Sequence, residues 1–150
     1  MSIWHRDDIS LEAIEALAPG TMSAHMGVRF TEIGGDFLRA EMPVDGRSRQ
    51  YMGLVHGGAN AFLAENVASV AANMVVDPQI QVCVGLEINA NHLRPIRQGP
   101  VTATARPLHL GNTTQVWDVR IEDPRGLLCC VARMTMAVRS RAELGLPPHS

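Results

Sequence analysis

Lysine is absent: all 13 cations among the 150 residues are arginines. That excludes Schiff-base chemistry on a lysine, attachment of pyridoxal phosphate and a Walker-type phosphate loop. Against 15 acids the formal net charge is −2, and the arginines form no basic block. Nucleic acid is therefore not the expected partner. Aromatic residues make up only 4 %, so the core has to come from Val, Leu, Ile, Ala and the eight Met. No apolar run reaches the roughly 18 residues of a membrane span. Asp7 and Asp8 stand where a secretion signal would carry cations and then a long apolar stretch. A soluble, cytoplasmic protein without a membrane partner is expected. The three cysteines, Cys83, Cys129 and Cys130, contain no C-x-x-C pair and cannot make a disulfide framework. They read as buried, reduced thiols. The histidines have no metal-ligand spacing such as H-x-x-x-H, so a metal site is not expected.

What is present suits one α+β domain. Hydrophobic residues reach 46 % and charged residues 19 %, enough apolar material for a real core. A single domain over 1–150 is expected, with an ordered core at about 3–140 and a tail at 141–150 that frays around Pro147 and Pro148. Ser10 caps a short helix whose Leu11, Ile14 and Leu17 share one stripe, and Pro19-Gly20 ends it. Residues 27–33 and 37–43 read as strands about a Gly34-Gly35-Asp36 turn. A loop over 44–55 follows. Residues 58–75 predict one long, Ala-rich helix, apolar on most sides and so buried nearly all round. Four strands are predicted at 82–92, 100–110, 114–122 and 127–138. Such a pattern wraps a curved antiparallel sheet around one helix. The sheet edge and the open helix face it leaves call for a second copy, so a homodimer at least is expected.

Glu65 is the sharpest chemical feature. It stands mid-helix among Ala61, Phe62, Leu63, Ala64, Val67 and Ala68. An ionised, unpaired carboxylate costs several kcal/mol in such surroundings, and desolvation makes it a better proton acceptor or nucleophile. It reads equally as a Glu on the solvated side of the helix. Ser69 lies four residues on, on the same face, and could orient that carboxylate or simply pack. Asn60 and Asn66 fall on other faces and read as packing or solvent residues. His56-Gly57-Gly58 precedes the helix. Its glycines permit close approach, and first-turn amides suit an oxyanion. Gln50, in the loop before, offers both a donor and an acceptor. The run from Glu87 to Pro95 alternates polar and apolar residues, with Arg94, Arg97 and Arg106 nearby in sequence. His109 to Thr114 forms a donor-rich hairpin tip. Either could grip phosphates or an adenosine, or be a solvated loop.

The segment Gly53-Leu-Val-His-Gly-Gly-Ala, followed by Leu63-Ala-Glu-Asn-Val-Ala-Ser69, resembles the hot-dog-fold acyl-CoA thioesterases of the 4-hydroxybenzoyl-CoA thioesterase type. Met42-Pro-Val-Asp45, Val84-Gly-Leu-Glu-Ile-Asn-Ala-Asn-His92, Pro107-Leu-His-Leu-Gly111 and Gln115-Val-Trp117 extend the likeness over most of residues 3–138. Within that family the chain is similar to bacterial enzymes that hydrolyse 1,4-dihydroxy-2-naphthoyl-CoA, and to those that proofread aryl carrier proteins in enterobactin synthesis. The resemblance implies a hot-dog fold, a dimer or dimer of dimers, and hydrolysis of an aromatic acyl-CoA without metal or cofactor, with an acyl or aryl carrier protein as a further partner. It implies that Glu65 is the catalytic carboxylate, supplied from the opposing subunit. The Gly57 amide would be the oxyanion donor, and His56 and Gln50 would position the thioester or water. Ser69 would be a polar neighbour of the acyl group. CoA contacts would fall to Gly85, to His92, Leu93, Arg94 and Pro95, and to His109, Leu110, Gly111, Asn112, Thr113 and Thr114.

Alternative readings are a broad-range or aliphatic acyl-CoA or acyl-carrier-protein thioesterase, a hot-dog dehydratase, and a non-catalytic acyl-CoA sensor. The dehydratase places its His on a Pro-rich glycine loop with the acid further along; here His56 and Glu65 are nine residues apart. A sensor would need a second domain, for which the chain has no basic helix.

Overall fold

A computed structural model describes residues 2–147. The element order is α1 (Leu11–Glu15), α2 (Met22–His25), β1 (Arg29–Ile33), β2 (Leu38–Met42), α3 (Gly57–Val75), β3 (Gln81–His92), β4 (Val101–Leu110), β5 (Thr114–Glu122) and β6 (Leu128–Ser140), then a single 3-10 turn (Ala142–Leu144). The six strands form one antiparallel sheet in the order β1-β2-β4-β5-β6-β3. The expected helices and strands are all present within a few residues. α2 was not expected; it has four residues, capped by Thr21, whose hydroxyl accepts from the Ala24 N–H. Ser10 caps α1 in the same way. The tail expected from 141 onward, Pro147 included, is tied down as far as Pro147: Arg141 N–H donates to Ile80 O, Leu146 N–H to Arg141 O, and Arg141 Nε to Pro147 O at 2.6 Å. Pro148, also placed in that tail, lies outside the described residues. Among the described residues no helix is long and apolar enough to cross a membrane.

α3 packs one face on the sheet. Ala59, Asn60, Leu63, Ala64, Val67, Ala68, Ala71 and Ala72 are buried. These positions repeat every three to four residues, so they form one stripe. The all-round burial expected from composition is not what the chain has. A single sheet covers a single side, and the opposite side, through Phe62, Glu65, Asn66, Ser69 and Asn73, remains open or half-covered. Small alanines let the backbone of the helix approach Ala40, Ala103 and Ala105, which are fully buried on β2 and β4. The largest core residue is Trp117, fully buried. Its indole lies parallel to that of Trp4, with ring centroids 6.4 Å apart. The Trp117 N–H donates to Gln115 Oε1 at 3.0 Å, which satisfies the one polar atom of the ring.

β3 is a sheet edge. Asn73 of α3 binds it through a two-way contact: Cys83 N–H donates to Asn73 Oδ1 at 2.8 Å, and Asn73 Nδ2 donates to Cys83 O at 3.0 Å. The same Nδ2 also reaches Ser69 O at 2.9 Å. Past this point the pairing of β3 with β6 shifts register between Gly85 and Glu87, a bulge at Leu86.

All three cysteines are free and buried. Burial pushes the Cys83 and Cys130 thiols up to about 11, and raises Cys129 as well. The thiolate is the reactive form. Ellman's reagent at pH 8 is therefore expected to leave all three unmodified in the folded protein and to modify all three after unfolding. Rapid labelling of any one without denaturant would contradict the described packing.

Candidate active site

The N-terminus of α3 is built by the loop before it. Arg47 brings its guanidinium onto Asp45, with Nη2 at 2.6 Å from Oδ2, and holds that carboxyl down at about 2. Ser48, buried, donates to Pro43 O, and its own carbonyl accepts from the His56 N–H. A bridge between Arg49 and Val55 closes the loop. Chain direction at His56 is thereby set before the helix begins.

His56 is the N-cap, and its Nδ1 accepts from the Gly58 N–H at 2.8 Å. That contact leaves the ring proton on Nε2, which becomes the outward donor. The Ala59 and Asn60 amides both bond to His56 O. Gly57 thus carries the one amide of the first turn that no described residue accepts from. It points from the positive end of a 19-residue helix dipole. A side chain at Gly57 would put its Cβ 2.8 Å from His92 Nε2, so only glycine lets the imidazole lie against the backbone there. Gly57 lines a cleft of about 270 Å³ between the helix start, Val55 and residues 92–96.

The expected residues divide into three groups. Gly57, His92, Leu93, Arg94 and Pro95 line this cleft. His92, expected at the nucleotide, stands at the Gly57 end. Arg94 turns one N–H to Leu128 O at 2.6 Å. The second group surrounds Glu65. Its Oε1 lies against Gly85, where an added Cβ would meet it at 3.1 Å. Gly85, expected among the CoA contacts, is therefore a seat for the carboxylate. Ser69 O–H points at Met136 Sδ, 3.9 Å away, and not at Glu65. Glu65 itself is exposed on this chain, the solvated one of the two readings its sequence allowed, because it sits on the face of α3 that the sheet leaves uncovered. The third group is the β4–β5 tip. Gly111 N–H donates to Thr114 O, and Asn112 and Thr113 border a separate groove of about 550 Å³ with Arg139 and Ser140. His109 packs over Gly111, and Leu110 is partly exposed.

Gln50 belongs to none of these groups. Its Oε1 accepts from the Met52 N–H within a tight turn in which Gly53 adopts a φ of 81°. The amide NH2 and the second lone pair of Oε1 remain for a ligand. Tyr51 beside it is 97 % exposed. Asn60, read from sequence as a packing or solvent residue, lines the cleft with Gly57. Its place one turn after Gly57 was the available signal.

Gly57 and Glu65 cannot serve one carbonyl from a single protomer. They are eight residues apart on the same helix, about 12 Å along its axis. The two sets of CoA candidates are separated likewise. Thr114 registers with Ala137 of β6 and His92 with Cys130, roughly 23 Å apart along the strand.

Residues 52–130 match the family model described as the thioesterase superfamily. The chain is 48 % identical over 136 residues to the 1,4-dihydroxy-2-naphthoyl-CoA hydrolase of Escherichia coli strain K12, covering 91 % of this chain and 98 % of that one. It is 44 % identical over 136 residues to the proofreading thioesterase EntH of Cronobacter turicensis, again with 91 % and 98 % covered. A thioesterase from Haemophilus influenzae superimposes with a TM-score of 0.89 at 40 % identity, over 92 % of this chain and 95 % of that one. Six antiparallel strands around one main helix are the hot-dog fold of these proteins, and the chain belongs to the thioesterase superfamily as a thioester hydrolase.

Proposed function

We propose that this hydrolase acts in the cytoplasm, as one domain in a homo-oligomer, on aromatic acyl-CoA thioesters, of which 1,4-dihydroxy-2-naphthoyl-CoA is the lead candidate. The substrate class rests on the relatives named above. The observation that carries the chemistry is the unpaired N–H of Gly57, a residue that lines a cleft at the start of α3. A thioester carbonyl on that amide has its developing negative charge stabilised by a fixed donor and the helix dipole.

The distances support a second copy. Glu65 sits over Gly85, and Gly57 sits against His92, both on edge strand β3. An antiparallel pairing of two β3 edges that sets Gly85 opposite His92 of the second copy brings Glu65 beside that copy's Gly57. It also covers Leu86, 59 % exposed, and moves the β4–β5 tip of one copy toward residues 92–95 of the other. The same docking supplies the desolvation that Glu65 lacks on one chain. Glu65 then either attacks the carbonyl carbon to give a mixed anhydride, which water hydrolyses, or takes a proton from the attacking water. In both routes the C–S bond breaks and CoA leaves as its thiol. A phosphopantetheine arm on a carrier protein presents the same thioester.

Thiol release across benzoyl, hydroxynaphthoyl and straight-chain acyl-CoAs, run beside light scattering, tests this reading. Higher kcat/KM for the aromatic members and a dimer or larger species at micromolar concentration are expected. A stable, active monomer would rule out the shared site. A preference for straight chains would support the broad-range alternative.

A further inference from the structure

Asn60 is 4 % exposed, and its Oδ1 has no hydrogen-bond partner. Among the described residues it is the only buried side-chain polar atom left so. Such an atom is costly, and native proteins pair nearly all of them. Nothing beside it in the cleft supplies the donor. Val55 and Ile96 are apolar, Arg94 donates to Leu128 O, and the His92 ring lies over Gly57. Asn60 follows Gly57 by three residues, so the two share a helix face. One helical turn therefore carries an unpaired N–H and an unpaired, buried C=O on two residues that both line the same cleft.

We propose that Asn60 is a specificity-determining residue, whose Oδ1 accepts a hydrogen bond from a neutral N–H or O–H located next to the thioester carbonyl held by Gly57. This rests on the thioester reading of the cleft. Two parts of a substrate carry such a donor: a hydroxyl ortho to the carbonyl on an aryl acyl group, and the amide N–H nearest sulfur in the pantetheine arm. A site with a buried acceptor discriminates strongly against ligands that leave it empty-handed, because the acceptor then stays unpaired.

Two matched pairs of thioesters separate the sources. The first is 2-hydroxybenzoyl-CoA against benzoyl-CoA. The second is the benzoyl thioester of N-acetylcysteamine against that of 2-mercaptoethyl acetate, in which oxygen replaces the amide N–H. The wild-type protein is expected to prefer the donor-bearing member of one pair by on the order of 10²-fold in kcat/KM. Asn60→Leu should reduce that preference to about threefold or less, and Asn60→Ser, which keeps an acceptor, should retain part of it. The pair that responds names the donor. Each preference is a ratio on one protein sample, so partial unfolding of a variant cancels. Unchanged ratios in Asn60→Leu, whatever its total activity, overturn the proposal. Calorimetric binding of the corresponding inert thioethers, with a methylene between carbonyl and sulfur, gives the same ratios without turnover. Absence of thiol release by the wild type would thus refute the hydrolase reading alone and leave this test intact.

Discussion

Glu65→Gln is expected to fold, assemble and bind acyl-CoA, yet to lose on the order of 10²–10⁴ in kcat. Glutamine keeps the shape of the side chain and its seat over Gly85. It removes both the basicity and the nucleophilicity that the two routes require. No described residue makes a hydrogen bond or ion pair to Glu65, so the fold gives up little when the charge goes. His56→Ala should lose less, about tenfold to a hundredfold. It removes a cap worth roughly 0.5–2 kcal/mol and an outward Nε2 donor, but no attacking group. Single-turnover thiol release with separately measured ligand affinity checks both. Full turnover by Glu65→Gln together with an inactive His56→Ala would reverse the roles and require a histidine-based mechanism. A failure of Glu65→Gln to fold would make the carboxylate structural.

Trp117→Ala should destabilise the protein by about 3–5 kcal/mol, the usual range when a fully buried aromatic is truncated. Three losses coincide there. The ring is wholly buried, it stacks on Trp4, and its N–H satisfies Gln115 Oε1. Gln115 is 1 % exposed, and its amide also donates to Ala72 O on α3 at 3.5 Å. Truncation therefore leaves a cavity and a buried carbonyl oxygen without a donor. Urea unfolding followed by circular dichroism checks the value. Trp4→Ala, at a half-buried site, should cost clearly less, and equal costs for the two would contradict the packing described.

The order and type of the larger elements were legible because their periodicities are strong. Leu38, Ala40 and Met42 alternate inward on β2, and the turns at Gly34-Gly35-Asp36 and Asp123-Pro124-Arg125-Gly126 are marked by their residues. α2 was not legible, since four residues are too few for a 3.6-residue repeat to register. The burial of α3 was misread for a different reason. Alanine is apolar on every face of a helix, so composition does not say which face meets the sheet and which is left for something outside the chain. Glu65 and Gly57 stood out as residue types at a telling spacing. Asn60 did not, because an asparagine on an Ala-rich helix reads equally as packing or solvent until its missing partner is seen in three dimensions. The split of the CoA candidates between the His92 end of β3 and the β4–β5 tip was equally invisible, because adjacency in sequence carries no register.

The clasp of Asn73 on Cys83 bears on aggregation. The Cys83 N–H and C=O that Asn73 occupies are groups that a strand added to the outer edge of β3 would otherwise use. A side-chain amide takes the place of that strand for one residue and then stops. An incoming strand can engage β3 from Gly85 onward but cannot slide toward Gln81. The exposed edge is consequently a socket with one end closed. It admits a strand in a limited phase and resists the open-ended, slipped stacking by which bare sheet edges build fibres.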